Sequence, residues 1–409
     1  MYKITSLGEI ANVTTGYPFK GDLYSDEGIR VVRGENITIG SLRWDSTKCW
    51  NSKFEQTEKY SLKEDDVVIG MDGSRVGKNR AQVKERDLPL LLAQRVACVR
   101  STDLSDQNYL YYLIRSEKFE QYVNKIQTGS SIPHISLRQI EEFPVAFPPL
   151  STQQKIASVL SALDSKIELN DRINAELEAM AKTFYDYWFV QFDFLDKNGK
   201  PYKTSGGKMV WNDELNREIP EGWEVKTLLD IATFVNGLAC QKFRPKENED
   251  SYRVIKIREM GTGFTKNSEF VSKNIPEKVV VFDGDILFSW SATLDVKIWT
   301  GGTGALNQHI FKITSEKYPK SFYYFELLNY LQHFKMMAEL RKTTMGHITQ
   351  DHLRESRITI PSIEIINELD KIIKPILEKK VKLEIENQKL IELRDWLLPM
   401  LMNEQVKVD

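Results

Sequence analysis

The 409-residue chain is 41% hydrophobic and 11% aromatic, an ordinary globular composition that allows two or three domains with cores of their own. Its 56 basic and 58 acidic side chains leave a formal charge of −2, which excludes a free-standing, strongly basic nucleic-acid binder. There is no apolar run of about 18 residues, and the opening MYKITSLGEIANV lacks a signal-peptide pattern, so the reading is a cytoplasmic protein.

Residues 1–150 read as a compact α/β domain rich in strands. GIRVVRGENI (28–37), DVVIGM (66–71) and AQRVACVR (93–100) are short, β-branched and bounded by turns, as strands are. A helix is expected over Asn108 to Lys125, then a Gly/Ser loop, QTGSSIPHIS, a strand near Glu142 to Phe147, and Pro148-Pro149, with Ser151 as N-cap of a long helix.

That helix, residues 151–190, carries a sustained 3,4 hydrophobic repeat: Gln153, Ile156, Leu160, Leu163, Ile167, Asn170, Asn174, Leu177, Ala181, Phe184 and Trp188. The same spacing returns in residues 362–409 as Ile366, Leu369, Ile373, Ile376, Lys380, Leu383, Asn387, Leu390, Arg394, Leu397 and Leu401. A repeat averaging 3.5 residues keeps one seam of a helix against a partner, so the two stretches read as coiled-coil strands of equal length. Asn174 and Asn387 hold equivalent seam positions, where a polar residue fixes register, and they lie close enough to mid-helix to be candidates for meeting at the crossing of an antiparallel pair. Pro375 predicts a kink in the second helix.

Residues 191–222 are mostly polar, with a Gly-Gly pair, and read as a linker. After it the pattern starts again at residues 223–361. LGEIANVTTG (7–16) is echoed by LLDIATFVNG (228–237), EDDVVIG by DGDILFS, AQRVACV by NQHIFKI, SSIPHIS by TTMGHIT and VAFPP by ITIPS. The offset shrinks from 221 to 213, as small loop insertions and deletions between two copies would make it. The chain is a tandem duplication in the α+β class: globular unit, helix, globular unit, helix.

Catalytic patterns are weak. GSRVGKN (73–79) is a residue too short between its glycines for a phosphate loop and has Asn79 where Ser or Thr would bind Mg²⁺. Asp285 followed by Asp295-Val296-Lys297 has the spacing of a nuclease's two carboxylates and lysine, yet the first copy keeps only Asp66. No cofactor loop of a methyltransferase follows any strand. Cys49, Cys98 and Cys240 lie far apart, without zinc-site spacing, and His134 and His347, at matching loop positions, read as structural.

Basic loops recur in both copies. Arg75, Lys78, Arg80, Lys84 and Arg86 crowd one stretch; Lys242, Arg244 and Lys246, then Arg253, Lys256 and Arg258, crowd the other. Such side chains suit phosphate contacts, and arginine also reads guanine bidentately. The candidates for DNA contact are Gly16, Tyr17, Lys20, Arg33, Arg75, Lys78, Arg80, Lys242, Arg244, Lys256, Arg258 and Lys297. Residues 1–150 carry 20 basic and 20 acidic side chains and residues 191–361 carry 24 and 22, so borrowed phosphate contacts are expected from a partner.

With LGEIA near the start, PPLSTQQKIASVLSALD opening the first helix, IPEGWEVKTLLDIA opening the second unit and LRDWLLPMLMNEQ closing the chain, the sequence resembles the specificity subunit of type I restriction-modification systems over essentially its whole length. The second helix departs from the pattern at IPSIEIINELD, which lacks the usual Gln pair. The resemblance implies that the globular units are target recognition domains, each reading half of a bipartite double-stranded DNA target. It implies that the helices are antiparallel spacers docking two modification (methyltransferase) subunits. These bring S-adenosylmethionine and methylate one adenine per half-site, while restriction (motor nuclease) subunits bring ATP and Mg²⁺. On this reading the chain has no catalytic residue, cofactor or metal of its own. The alternatives are a fused nuclease or methyltransferase, and a coiled-coil scaffold without DNA affinity.

Overall fold

A computed structural model describes residues 3–51, 55–128, 133–340 and 348–408. The chain divides into two units: Met1–Lys166 with Leu390–Asp409, and Ile167–Lys389. Each unit therefore combines one globular copy with the near half of one long helix and the far half of the other.

In the first unit, Ala11–Thr15, Val96–Ser101, Val67–Gly70 and Arg80–Gln82 form an antiparallel sheet in that spatial order. A second sheet pairs Ile29–Val32 antiparallel to Cys49–Trp50 and parallel to Leu90–Leu92. Lys3–Ser6 pairs with Pro144–Phe147, the strand that hands the chain to the long helix. Apolar residues on both faces of the central strands, such as Val67 and Ile69 on one and Val68 on the other, are fully buried because helices cover one side and the second sheet the other.

The second unit repeats this plan. Thr233–Asn236, Ile310–Thr314, Ile286–Ser289 and Asp295–Ile298 make its antiparallel sheet. Ser251–Ile255 pairs antiparallel to Phe270–Ser272 and parallel to Gly304–Leu306, and Glu224–Lys226 pairs with Ile358–Ile360. The sequence echoes thus fall on equivalent strands, so the duplication is one of fold.

The long helices run Leu150–Tyr185, continued by a π-helical turn at Asp186–Val190, and Ile363–Met402. The first starts one residue earlier than expected: the amides of Thr152 and Gln153 bond to Pro149, and Ser151 lies inside the first turn. All 22 predicted seam positions are buried or half-buried. In the second unit Asn170 meets Asn387 while Glu178 lies against Lys380, so the paired numbers run in opposite directions and the helices are antiparallel there. In the first unit Asp164 bonds Arg394, and Ile156, Ala157 and Leu160 share a core with Leu398, Leu401 and Met402. Burying each such aliphatic side chain contributes about 1.5–3 kcal/mol.

Three expectations change. Asn174 does not meet Asn387; instead Asn170, fully buried, donates to Asn387 Oδ1 at 2.8 Å, while Asn387 donates to Asp171 at 2.7 Å and to the Ile167 carbonyl at 3.2 Å. The residue opposite Asn387 is therefore Asn170, one turn before Asn174. The expected helix over Asn108 to Lys125 is two, Gln107–Arg115 and Glu117–Ile126, because Ser116 turns extended and caps the second. Residues 191–222 are not a loose linker but hold a hairpin, Met209–Asn212 with Arg217–Pro220. Phe192, Phe194 and Trp223 are buried in ring contact at the base of this segment, and Asp193 accepts from Thr204 to fold the loop between them.

Candidate nucleic-acid interface

Each unit carries the same tight turn, built where its parallel strand pair gives way to the central sheet. In the first, Tyr17 N–H donates to the Leu92 carbonyl at 2.9 Å, Gln94 N–H to Tyr17 at 3.0 Å, Ala93 N–H to Val32 at 3.1 Å and Val96 N–H to Ala93 at 3.0 Å. In the second, Leu238 donates to Leu306 at 2.9 Å, Gln308 to Leu238 at 2.8 Å, Asn307 to Ile255 at 3.1 Å and Ile310 to Asn307 at 3.1 Å. Two further bonds match: Met71 to Arg95 with Trp290 to His309, and Ile135 to Met71 with Ile348 to Trp290. The chains approach so closely that a Cβ on Gly16 would lie 1.9 Å from the Leu92 oxygen, and one on Gly237 2.2 Å from the Asn307 oxygen. Gly16 is therefore a packing glycine that makes the turn possible; glycine is required there by contact.

Beside the first turn lie two open clefts that share Gly34, Glu35 and Asp72, of about 350 and 470 Å³. Tyr17, Arg33, Gln94 and Arg95 line one; Arg43, Arg75 and Asn79 line the other. Arg33 is held by Glu35 at 2.5 Å and by Ser46, over the ring of Tyr24, and its Nε is buried without a hydrogen-bond partner. Arg95 is three-quarters exposed, with Asp72 at 2.9 Å as its ion-pair partner. Arg75 and Lys20 are exposed, though Lys20 lines neither cleft. Exposed or half-exposed pairs of this kind hold each other weakly in water, so their cations are available to a phosphate.

One candidate from this copy is used internally and a second is tied to a helix by a surface ion pair. Arg80 is 7% exposed; its guanidinium donates to the carbonyls of Gly77 and Arg115, and burial pushes its pKa down to about 10. It fastens the loop to the helix behind it and does not reach the surface. Lys78, about half exposed, pairs with Glu120 at 3.0 Å on the next helix, Glu117–Ile126. The amides of Val76, Lys78 and Asn79 bond within the loop, and Gly77 packs on Val123, so no phosphate nest exists at GSRVGKN.

In the second copy, Lys256 ion-pairs with Glu269, whose carboxyl is held below its ordinary range by that contact and by the charges of Arg244 and Arg258. Three of the predicted cations thus gather around one carboxylate. Arg258 also bonds Glu259 and the Asn267 carbonyl, while Lys242 and Arg244 stay exposed. Lys297 is half-buried and donates to the Met260 carbonyl at 2.9 Å, a brace under the helix that presents Arg258.

The nuclease constellation does not assemble. Ser289 opposes Asp295 while Ile286 opposes Ile298, so Asp285 and Asp295 sit at opposite ends of a hairpin, roughly 13 Å apart at about 3.3 Å per residue. Asp285 accepts from Phe282 N–H at 2.8 Å and pairs with Lys312 at 2.8 Å. Asp66 makes the equivalent bond to Lys63 N–H and takes both bonds of Arg100. Both are strand-start carboxylates. Among the described residues no group of three or more His, Cys, Asp or Glu could hold a metal, and no helix is long and apolar enough to cross a membrane. His134 bonds Thr128 on its loop, and His347 lies outside the described residues.

The residues missed from sequence are Arg43, Asp72, Gln94 and Arg95, and in the second copy Trp290, Gln308 and His309. The signal existed: AQRVACV and NQHIFKI align a glutamine with a glutamine at the tip of the turn.

The sequence profile of the family described as "Type I restriction modification DNA specificity domain" matches residues 1–179 and 220–395. The chain is 26% identical over 313 residues to the MjaIX specificity subunit of Methanocaldococcus jannaschii, covering 74% of this chain and 69% of that one. It is 26% identical over 355 residues to the HindI specificity subunit of Haemophilus influenzae, covering 73% and 77%. The crystal structure of a type I restriction-modification S subunit from M. genitalium superposes with a TM-score of 0.60 at 14% identity, covering 98% of this chain and 96% of that one; it shows the fold.

Proposed function

On the premise that the chain belongs to the family of type I restriction-modification DNA specificity subunits, which are not themselves enzymes, we propose that each globular copy reads one half of a bipartite double-stranded DNA target. Specificity subunits of type I systems bind DNA and assemble with modification and restriction subunits. For this chain the proposal is two modification subunits, which supply S-adenosylmethionine, and restriction subunits, which use ATP and Mg²⁺, all in the cytoplasm. The domain limits proposed are residues 1–150 and 223–361 for recognition, with the long helices setting the spacing between half-sites and docking the modification subunits.

The observation that carries the reading is that each copy holds the same rigid turn flanked by its own arginines and lysines. A DNA reader needs a fixed backbone beside variable polar side chains: phosphate contacts orient the protein, and side chains at base edges select sequence. Duplicating the reader and varying its loops gives two independent half-sites. The near-neutral charge predicts that phosphate contacts from the modification subunits complete the affinity. The test is binding of a labelled duplex carrying the target by the purified chain, alone and with its modification subunit. Tight binding on assembly, lost stepwise when one half-site and then the other is scrambled, is expected. Salt-resistant, sequence-specific binding by the isolated chain, or indifference to scrambling either half, would overturn it.

A further inference from the structure

We infer that the side chains at the tips of the repeated turns, Gln94-Arg95 and Gln308-His309, set base preference: the glutamines take the same base in both half-sites, and Arg95 takes a neighbouring base that His309 cannot match. This rests on the reading of the two copies as DNA readers and goes further by naming which side chains discriminate. The backbone argument comes first. Six matched hydrogen bonds hold each tip, two of them made by the amides next to the glycine and the tip itself, so both tips project side chains from the same backbone bonding pattern. Around them the side chains differ: Tyr17 becomes Leu238, Met71 becomes Trp290, Ala93 becomes Asn307 and Arg95 becomes His309. Leu92 and Leu306, Ile135 and Ile348, and Gly16 and Gly237 also keep their identity, but the first two pairs are buried and the glycines are required by close contact; Gln94 and Gln308 keep theirs without being buried.

Burial does not explain that retention: Gln94 is exposed and Gln308 half-exposed, the six matched bonds of the turn are main-chain, and the Gln308 carboxamide contacts the neighbouring His309. A carboxamide offers one donor and one acceptor side by side, the pattern that matches adenine N6 and N7 in the major groove. Beside it, Arg95 is three-quarters exposed with a single weak ion pair, to Asp72. Its two parallel N–H groups fit guanine O6 and N7. His309 packs against Trp290 with ring centroids 5.6 Å apart and the planes tilted by 53°, and its Nε2 lies 3.2 Å from the Gln308 carboxamide nitrogen. Its Nδ1 is buried without a hydrogen-bond partner, so this imidazole cannot replace the bidentate arginine.

The experiment uses the complex of the full chain with its modification subunit, tritiated S-adenosylmethionine, and duplexes in which each position of the target is varied singly. R95H should lower methylation of the parent target about tenfold or more and shift preference at one position of one half-site, and H309R should do so in the other half-site. Q94A and Q308A should each relax preference for adenine in its own half-site. In each variant the untouched half-site reports folding, because a misfolded chain loses selectivity in both. The inference is overturned if R95H and H309R leave every base preference unchanged while an exposed-cation pair such as Lys20→Ala with Arg75→Ala still weakens one half-site; in that case the two-reader proposal stands. If none of these variants acts on a single half-site, the two-reader proposal itself fails.

Discussion

Glu326→Gln should stabilise the protein, and increasingly so as pH rises. Glu326 lies on the helix Lys320–Leu340, 8% exposed, accepting the hydroxyl proton of Tyr185 at the end of the first long helix. Burial pushes its carboxyl up from the usual 4.5 to about 7, with the Tyr185 hydrogen bond and the charge of Arg217 opposing. Tyr185 itself is pushed well above the ordinary phenol range, so it remains the donor throughout. The folded carboxyl is the weaker acid, so the folded state holds its proton where the unfolded chain has released it. Stability from this group is therefore complete below about pH 4.5 and is lost as pH rises through about 7. At about 1.4 kcal/mol per pH unit the full loss is about 3 kcal/mol. Glutamine keeps the shape and the acceptor oxygen without the charge. In urea unfolding, the advantage of Glu326→Gln over the parent should grow by about 2 kcal/mol between pH 5.5 and pH 8. An advantage that stays constant, or a variant destabilised at pH 8, would refute the reasoning.

Asp164 accepts from Arg394 at 2.7 Å, Arg115 at 3.1 Å and Tyr112 at 2.8 Å, so Asp164→Ala strands two part-buried cations and should cost roughly 1–3 kcal/mol in the same assay; a change below about 0.5 kcal/mol would contradict the network's importance. Arg80→Ala should lower the melting temperature without changing which bases are preferred, whereas loss of a base preference would return Arg80 to the DNA surface. Adding one heptad to each long helix lengthens it by about 10 Å, and the mapped spacer between half-sites should shift by up to about three base pairs at 3.4 Å each, with both half-site sequences unchanged. An unmoved spacer would show that the helices do not set it.

Periodic and repeated features were legible in the sequence. The seam could be read because a 3.5-residue period survives individual substitutions, including Lys380 and Arg394, whose long side chains end on Glu178, Glu384 and Asp164. The strands Val67–Gly70 and Val96–Ser101 were legible because buried, β-branched runs between charged turns have few other uses. Contacts decided by register were not. Which asparagine meets Asn387 depends on a one-turn offset that neither helix encodes alone. Arg80 looked like its neighbours in a basic loop, yet one residue's alternation on the strand Arg80–Gln82 turns it inward, where backbone carbonyls replace phosphate. The polar segment after residue 190 read as a linker because its three aromatic anchors, Phe192, Phe194 and Trp223, are too sparse to outweigh its composition. Gln94 and Gln308 were visible as a repeat, but only the paired backbone geometry brings them to the tip.

Methylation-sensitive sequencing of a host carrying the intact system tests the two-reader account most directly, with the parent chain compared against Lys20→Ala with Arg75→Ala and against Lys242→Ala with Arg244→Ala. The account predicts a bipartite parent motif in which the first pair degrades one half and the second pair the other, with the spacer unchanged in both. A motif that is not bipartite, or two variants that degrade the same half equally, would contradict it.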